Sequence, residues 1–276
     1  MLLCQSFEEE LSDPYFLSIR QGVENHCKEL GLDCAEIYRL SNLNLEQPSI
    51  NEELDGLIVI GGIDTTVVEQ LSRKINHFVY IDYSPNEDEY DSVIIDLKKA
   101  TNIALDHLLK LNHKKIGFLG GDQTEHTKKM KRRNVDERYL AYKEKMKKMG
   151  LYDSKHEFIG DFTMSDGYRL MNVAIQQGNL PEAFFIASDP LAIGALRALQ
   201  EAQIQVPEKV AIVSFDDIEM AKYASSPLST VRVPAEEMGN VGAKLMMERL
   251  MGRDIPLKVT VPIELIERES CGAMKR

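Results

Sequence analysis

Four short segments concentrate carboxylates, hydroxyls and flexible backbone at points where a β-forming run gives way to a helical pattern. They are Gly61-Gly62-Ile63-Asp64, Gly120-Gly121-Asp122, Ser188-Asp189-Pro190 and Phe215-Asp216-Asp217. Their polar groups donate and accept hydrogen bonds, and in open parallel sheets ligands sit beyond the carboxyl ends of the strands, where these loops fall. The chemistry they point to is the binding of a small polar molecule. Catalysis needs more: Asp82 or Asp216 could act as a general base, but no partner acid or nucleophile is evident, and the six histidines are scattered. The GxSxG, P-loop, HExxH and GxGxxG fingerprints of hydrolases, nucleotide and dinucleotide binders are absent. Cys4, Cys27, Cys34 and Cys271 form no CxxC pair and have no histidine at zinc-finger spacing. Reduced, mostly buried thiols are therefore expected, with no metal site and no cofactor.

The charge balance narrows the partners. With 33 basic and 44 acidic side chains the net charge is -11, which repels a phosphate backbone. The basic cluster Lys128-Lys129-Met130-Lys131-Arg132-Arg133 lacks interleaved aromatics and reads as a solvated loop. The N-terminus has no basic region followed by a long apolar one, and no run approaches the ~18 apolar residues of a membrane span, so a soluble cytoplasmic protein is expected.

These loops must be positioned by the elements around them. Short apolar runs recur between longer helical patterns: Asp33 to Tyr38, Gly56 to Ile60, Phe78 to Asp82, Val93 to Asp96, Lys115 to Leu119, Glu157 to Ile159, Ala183 to Ala187 and Val210 to Phe215. Such alternation predicts an α/β protein with parallel sheets and helical crossovers. Phe16, Ile19, Val23 and Cys27 fall on one helix face, as do Ile103, Leu105, Leu108 and Leu109. The elements exceed what one doubly wound sheet holds, which predicts two similar lobes. Extended stretches near Asp82 to Asp96, Thr230 to Val233 and Thr260 to Ile263 are the expected crossings, a three-strand hinge.

The segment FIASDPLAIGALRALQEAQIQVPEKVAIVSFDDIEMAKYASSPLSTVRVPAEEMGNVGAKLMMERLMG resembles the effector-binding core of the lactose/galactose repressor family in motif content, order and spacing. DHLLKLNHKKIGFLGG and DPYFLSIRQGVENHCKELGL resemble that family's entry to the second lobe and its first helix. The resemblance runs almost end to end. It implies two periplasmic-binding-protein-like lobes, residues 1–95 with 233–260 and residues 96–232 with 261–276. It also implies a homodimer, and operator DNA bound through a helix-turn-helix headpiece that nothing in this chain matches. A truncated piece of a longer repressor is expected. The acidic loop Glu8-Glu9-Glu10 before Asp13-Pro14-Tyr15-Phe16 resembles members that sense galactose or β-galactosides.

A sugar offers hydroxyls and two apolar faces, which call for carboxylates, a guanidinium fork and aromatic walls. By resemblance, Asp216 is the carboxylate that accepts from ligand hydroxyls, and Arg138 projects from its helix to pair with ligand oxygens. Phe16 and Phe162 are the aromatic walls, Asp82 faces the ligand from the first lobe, and Ser188 stands where the family commonly has Asn. Ser is shorter, so its contact is expected to run through water. Ala141 stands where the family has Gly. Asp189 followed by Pro190 reads as an N-cap and first helical residue, and Asp217 is an alternative helix cap. The expected mechanism is lobe closure on a sugar, which alters operator binding and involves no enzymatic step. The alternative is a sugar-binding protein of a transporter with the same architecture.

Overall fold

The computed structural model describes residues 1–34, 36–44, 49–51, 53–71, 73–126 and 131–273, apart from the side chains of 123–125 and 131–133. In chain order the elements are β1 (Leu2–Leu3), α1 (Phe7–Ser12), α2 (Pro14–Leu30), β2 (Tyr38–Arg39), β3 (Leu57–Ile60), α3 (Thr65–Leu71), β4 (Phe78–Ile81) and β5 (Asp91–Ile94). Next come α4 (Leu97–Lys110), β6 (Ile116–Gly121), β7 (Gln123–His126), β8 (Lys131–Asn134), α5 (Glu137–Lys148), β9 (Glu157–Gly160), α6 (Met164–Gln176), β10 (Ala183–Ile186) and α7 (Asp189–Glu201). The chain finishes with β11 (Ala211–Asp216), β12 (Ser229–Arg232), α8 (Ala235–Leu250), β13 (Lys258–Thr260) and β14 (Glu264–Ile266).

Two units form. The first comprises Met1–Ile95, Thr124–Asn134 and Pro234–Pro262, and the second Asp96–Gln123, Val135–Val233 and Ile263–Arg276. Each is built on a six-stranded sheet, in the order β13-β5-β4-β3-β1-β2 in the first and β14-β12-β11-β10-β6-β9 in the second. Every pairing in the two sheets is parallel except β12 with β14. The α/β expectation of two doubly wound sheets therefore holds, with one antiparallel edge strand added.

The local causes are visible in the sequence. Strands β3, β6, β10 and β11 are buried along their whole length, as continuous apolar runs covered on both faces must be. Helix α2 begins after Asp13, whose carboxylate accepts from the Tyr15 amide, and stops at Gly31 in the left-handed conformation. Its buried stripe is Tyr15, Ile19, Gly22, Val23 and Cys27, leaving Phe16 at the margin.

Each unit packs one pair of helices through glycines. A Cβ on Gly22 of α2 would lie 2.1 Å from the carbonyl oxygen of Glu236, and one on Gly239 of α8 the same distance from that of Ile19. In the second unit, a Cβ on Gly167 of α6 would lie 2.0 Å from the Leu191 oxygen, and one on Gly194 of α7 1.9 Å from the Met164 oxygen. The backbones touch where a side chain would hold them apart.

Several sequence expectations shift. Among the described residues, the run from Asp33 to Tyr38 contributes only to the two-residue edge strand β2. The expected strand from Val93 to Asp96 runs instead from Asp91 to Ile94, stopping short of Asp96, which caps α4 by accepting from the Lys99 amide at 2.7 Å. Buried Asp91 then opens β5. Burial alone would raise its carboxyl, but hydrogen bonds from Arg253 and Arg249 hold it below the usual range. The acidic Glu8-Glu9-Glu10 segment is helical, not a loop, because Ser6 and Glu9 form a capping box at the start of α1. Of the basic cluster, 128–130 lie outside the described residues, while the backbone of Lys131–Asn134 is a strand paired with β7. The Gly62 and Asp64 backbone exchanges hydrogen bonds with His126 at 2.8 and 2.9 Å, tying β7 to the loop after β3.

Candidate functional site

In the second unit the elements converge on Arg138. Asp136 ends the approach to α5 and accepts from the Arg138 amide at 2.7 Å, so it starts the helix that carries the arginine. The same carboxylate accepts from Arg138 Nε at 3.0 Å and Nη2 at 2.7 Å, a bidentate pair with Asp136 fully buried. Nη1 donates to the Ala187 carbonyl at the end of β10, at 2.6 Å. The guanidinium carbon lies 4.8 Å from the Phe162 ring centroid and 5.0 Å from that of Phe215. A planar cation that is neutralised by a bidentate carboxylate and stacked on two rings is held in one fixed orientation at these strand ends.

The neighbours of that fork follow from the strand ends. Phe162 is half-buried and follows β9. A Cβ on Gly121 would lie 2.9 Å from its ring, so glycine at the end of β6 is what lets the ring lie there. Phe215 is the penultimate residue of β11, which ends at Asp216. Asp216 has φ 107° and Asp217 φ 60°, two successive non-glycine residues with positive φ. Such backbone costs about 1–3 kcal/mol per residue and persists where the surroundings impose it. Asp217 is no helix cap: its carboxylate takes Arg232 Nε at 2.7 Å and Arg268 Nη2 at 2.6 Å, and the following short 3-10 helix has no side-chain cap. Its charge is taken up inside the unit by two arginines, while the neighbouring Asp216 is 8% exposed.

Ser188, directly after Ala187, is buried and is itself the N-cap of α7, accepting from the Leu191 amide at 3.3 Å. The cap expected at Asp189 is thus displaced by one residue. Asp189 instead turns inward, with no exposed surface, and accepts from Ser214 and Thr230 hydroxyls on Oδ1 and from the Ile218 amide on Oδ2 at 2.9 Å. Burial pushes its carboxyl up to about 7 against these hydrogen bonds. It ties the start of α7 to β11, β12 and the turn that follows Asp216.

The first unit carries a second, smaller constellation. Asp82, one residue beyond β4, has φ 64° and accepts from Tyr15 Oη at 2.8 Å. The Tyr15 and Phe16 rings meet edge to face with centroids 5.0 Å apart. Burial, reinforced by the charge of Asp82, pushes the neighbouring Cys4 thiol up to about 12. Among the glutamates of α1 it is Glu10 that points inward, 2% exposed, with Arg20 and Arg39 on its two oxygens.

Each unit thus gathers its own candidates: Arg138, Phe162, Ser188 and Asp216 around the ends of β9, β10 and β11, and Phe16 with Asp82 around Tyr15. Asp136 and Tyr15 were not singled out from the sequence. An Asp two residues before Arg138 at a helix start is a capping signal that could have flagged the first. Of the scattered histidines, His107 has its Nε2 3.3 Å from Cys271 Sγ and its Nδ1 3.6 Å from Glu267. Cys271 is only 1% exposed, so a substrate has no access to the sulfur. Among the described residues no group of three or more His, Cys, Asp or Glu could hold a metal ion, and no helix is long and apolar enough to cross a membrane.

Residues 105–271 match the periplasmic binding protein-like domain family. The chain is 47% identical over 278 residues to the HTH-type transcriptional repressor MelR of Bacillus subtilis (strain 168), covering 99% of this chain and 78% of the relative. It is 34% identical to the HTH-type transcriptional regulator GalR of Lacticaseibacillus casei, covering 96% and 80%. The transcriptional regulator CelR solved in complex with cellobiose superposes with a TM-score of 0.80 at 24% identity, covering 98% of this chain and 83% of that one, a likeness of fold. With the strand-end constellation on the same scaffold, the chain belongs to the lactose/galactose repressor family of transcriptional regulators.

Proposed function

We propose that this chain is the effector-sensing core of a sugar-responsive transcription repressor, in which Arg138 and Asp216 read ligand hydroxyls against the ring of Phe162. The observation that carries this reading is the Arg138 fork: 11% exposed, fixed by Asp136 and stacked on Phe162 and Phe215, beside a strand end where Asp216 has strained backbone. Fixed polar groups against an aromatic wall suit a polyol better than a reactive substrate. Asp82 and Phe16 are the contribution of the first unit, and Ser188, engaged as a cap, contributes through water. The relatives are transcriptional regulators and not enzymes or transport proteins, which disfavours the transporter alternative.

The ligand acts by binding two conformational states unequally, since an effector shifts an equilibrium only by its differential affinity. Operator DNA is engaged through a helix-turn-helix segment outside these 276 residues, in keeping with a chain of net charge -11, and two copies act together as a homodimer. Galactose or a β-galactoside is the favoured effector. The test is the thermal unfolding midpoint of the chain with galactose, lactose, cellobiose, other common sugars and purines. A sugar at 100 times its Kd stabilises by about 2.7 kcal/mol. A midpoint rise with a sugar, lost in Arg138→Ala and Asp216→Ala variants of native circular dichroism, supports the reading. A purine response, or a sugar response indifferent to both substitutions, overturns it.

A further inference from the structure

At the end of α2 opposite Phe16, the first unit brings two cysteines together. Gly31, with φ 72°, ends the helix, and the amides of Gly31 and Leu32 both turn back to the Cys27 carbonyl, Leu32 at 2.8 Å. This αL turn reverses the chain. Cys34 thereby returns toward the helix end, and its thiol interacts with that of Cys27. The two thiols are free and differ in setting: Cys27 is 2% exposed, while Cys34 is half-buried. Cys34 borders an open pocket of about 440 Å³ together with Glu24, Lys28, Gly31, Leu32 and Asp33.

We propose that Cys27 and Cys34 are a peroxide-sensitive modification site, with Cys34 the attacking thiolate and Cys27 the resolving thiol of a reversible disulfide. The interaction with Cys27 lowers the Cys34 thiol from its ordinary value, and thiolate character with access is what makes a cysteine reactive. The other two thiols serve as internal contrasts. Cys4 is buried and pushed up to about 12, so it stays protonated. Cys271 has its imidazole partner but no access.

The chemistry balances with hydrogen peroxide as the oxidant. The Cys34 sulfur takes one peroxide oxygen as the O–O bond breaks. Hydroxide leaves and collects a proton, and Cys34 becomes a sulfenic acid. The Cys27 sulfur then attacks the Cys34 sulfur, the S–O bond breaks, and the oxygen departs with the Cys27 proton as water. Two thiols lose two electrons, peroxide becomes two waters, and an external thiol reverses the bond by exchange.

Trypsin provides a direct readout, because Lys28 separates the two cysteines into the peptides 21–28 and 29–39. The intact chain is treated with hydrogen peroxide at pH 7, alkylated, digested and analysed by mass spectrometry without reductant. The expected result is the two peptides joined, at a mass two hydrogens below their sum, and released by dithiothreitol. The joined species is absent in Cys34→Ser. In Cys27→Ser, Cys34 stops at a dimedone-trappable sulfenic acid. Without peroxide, Cys34 alkylates at least ~100-fold faster than Cys4 in the folded chain. Cys34 carried to the sulfinic acid with no joined peptide, Cys34 joined to a second copy, or no reaction at either residue would each overturn the proposal.

Discussion

The carboxylate of Asp136 that caps helix α5 is the same one that grips, two residues on, the guanidinium of Arg138. One buried side chain therefore starts the helix and fixes the orientation of the group it presents. Removing it leaves an 11% exposed arginine without its counterion, which typically costs 3–5 kcal/mol, and the lost cap adds about 1 kcal/mol. Asp136→Ala is expected to lower the urea unfolding free energy by about 5 kcal/mol and to lose the sugar response although it touches no ligand. Retention of the full response by a folded Asp136→Ala chain would show that the fork does not need this anchor.

The Tyr15 hydroxyl makes the corresponding link in the first unit. It donates to Asp82, whose positive φ sets it at the end of β4. Hydrogen bonds to charged groups contribute about 1.5–3 kcal/mol, so Tyr15→Phe is expected to cost about 2 kcal/mol while the ring keeps its contact with Phe16. If Asp82 serves the ligand, isothermal titration of this variant shows weaker sugar binding with the aromatic wall intact. Unchanged affinity would make the Tyr15–Asp82 pair purely structural.

How much of this was legible in the sequence depended on distance along the chain. Apolar runs marked β3, β4, β6, β10 and β11 because a strand buried on both faces declares itself locally, whereas the half-exposed edge strand β9 showed through Phe158 and Ile159. The start of β5 at Asp91 was missed because its charge is neutralised by Arg249 and Arg253, roughly 160 residues away. Likewise Asp217 has the local look of a cap, and only the fold brings Arg232 and Arg268 to occupy it. The cap of α7 was misplaced by one residue because both Ser188 and Asp189 qualify locally, and what decides is the burial of Asp189 among Ser214, Thr230 and the Ile218 amide. The resemblance supplied Arg138 and Phe162, but not the anchor that gives the arginine its direction.

The glycine contacts were equally silent, since glycine within a helical pattern reads first as a weakness of about 1 kcal/mol. Gly194 instead allows α6 and α7 to touch: a Cβ there would sit 1.9 Å from the Met164 carbonyl oxygen, an atom of the backbone that cannot swing aside. Gly194→Ala is expected to destabilise the chain by about 1–3 kcal/mol despite alanine's better helix propensity, as overpacking does. Gly178→Ala provides the contrast. No atom lies within 4 Å of its Cβ, and its φ of 73° imposes a backbone penalty alone. Chemical denaturation of Gly194→Ala giving equal or greater stability would mean that the helices separate at no cost.

Asp189 makes stability depend on pH in a direction opposite to that of an ordinary ion-paired aspartate. Its carboxyl is raised by burial from 3.8 in the unfolded chain to about 7 in the folded one. Between those values the folded state binds the extra proton, so its contribution is fully present below about pH 4 and is lost as pH rises through 7. Every tenfold change in proton affinity between the two states is worth about 1.4 kcal/mol, so the whole effect is on the order of 4 kcal/mol and about half of it falls between pH 5 and 7. Asp217, the charge facing it, is held in place by Arg232 and Arg268 and helps keep the proton on Asp189. Asp189→Asn removes the titration while keeping the shape, so the stability of the native chain minus that of the variant is expected to fall by roughly 2 kcal/mol from about pH 5 to pH 7. Taking the difference cancels every contribution common to the two chains. Because Asp189 also holds the turn after Asp216 through the Ile218 amide, sugar affinity of the native chain should weaken over the same pH interval more than that of the variant. A difference that stays flat, or that grows with pH, would mean Asp189 is ionised in the folded chain and that its three hydrogen bonds outweigh its burial.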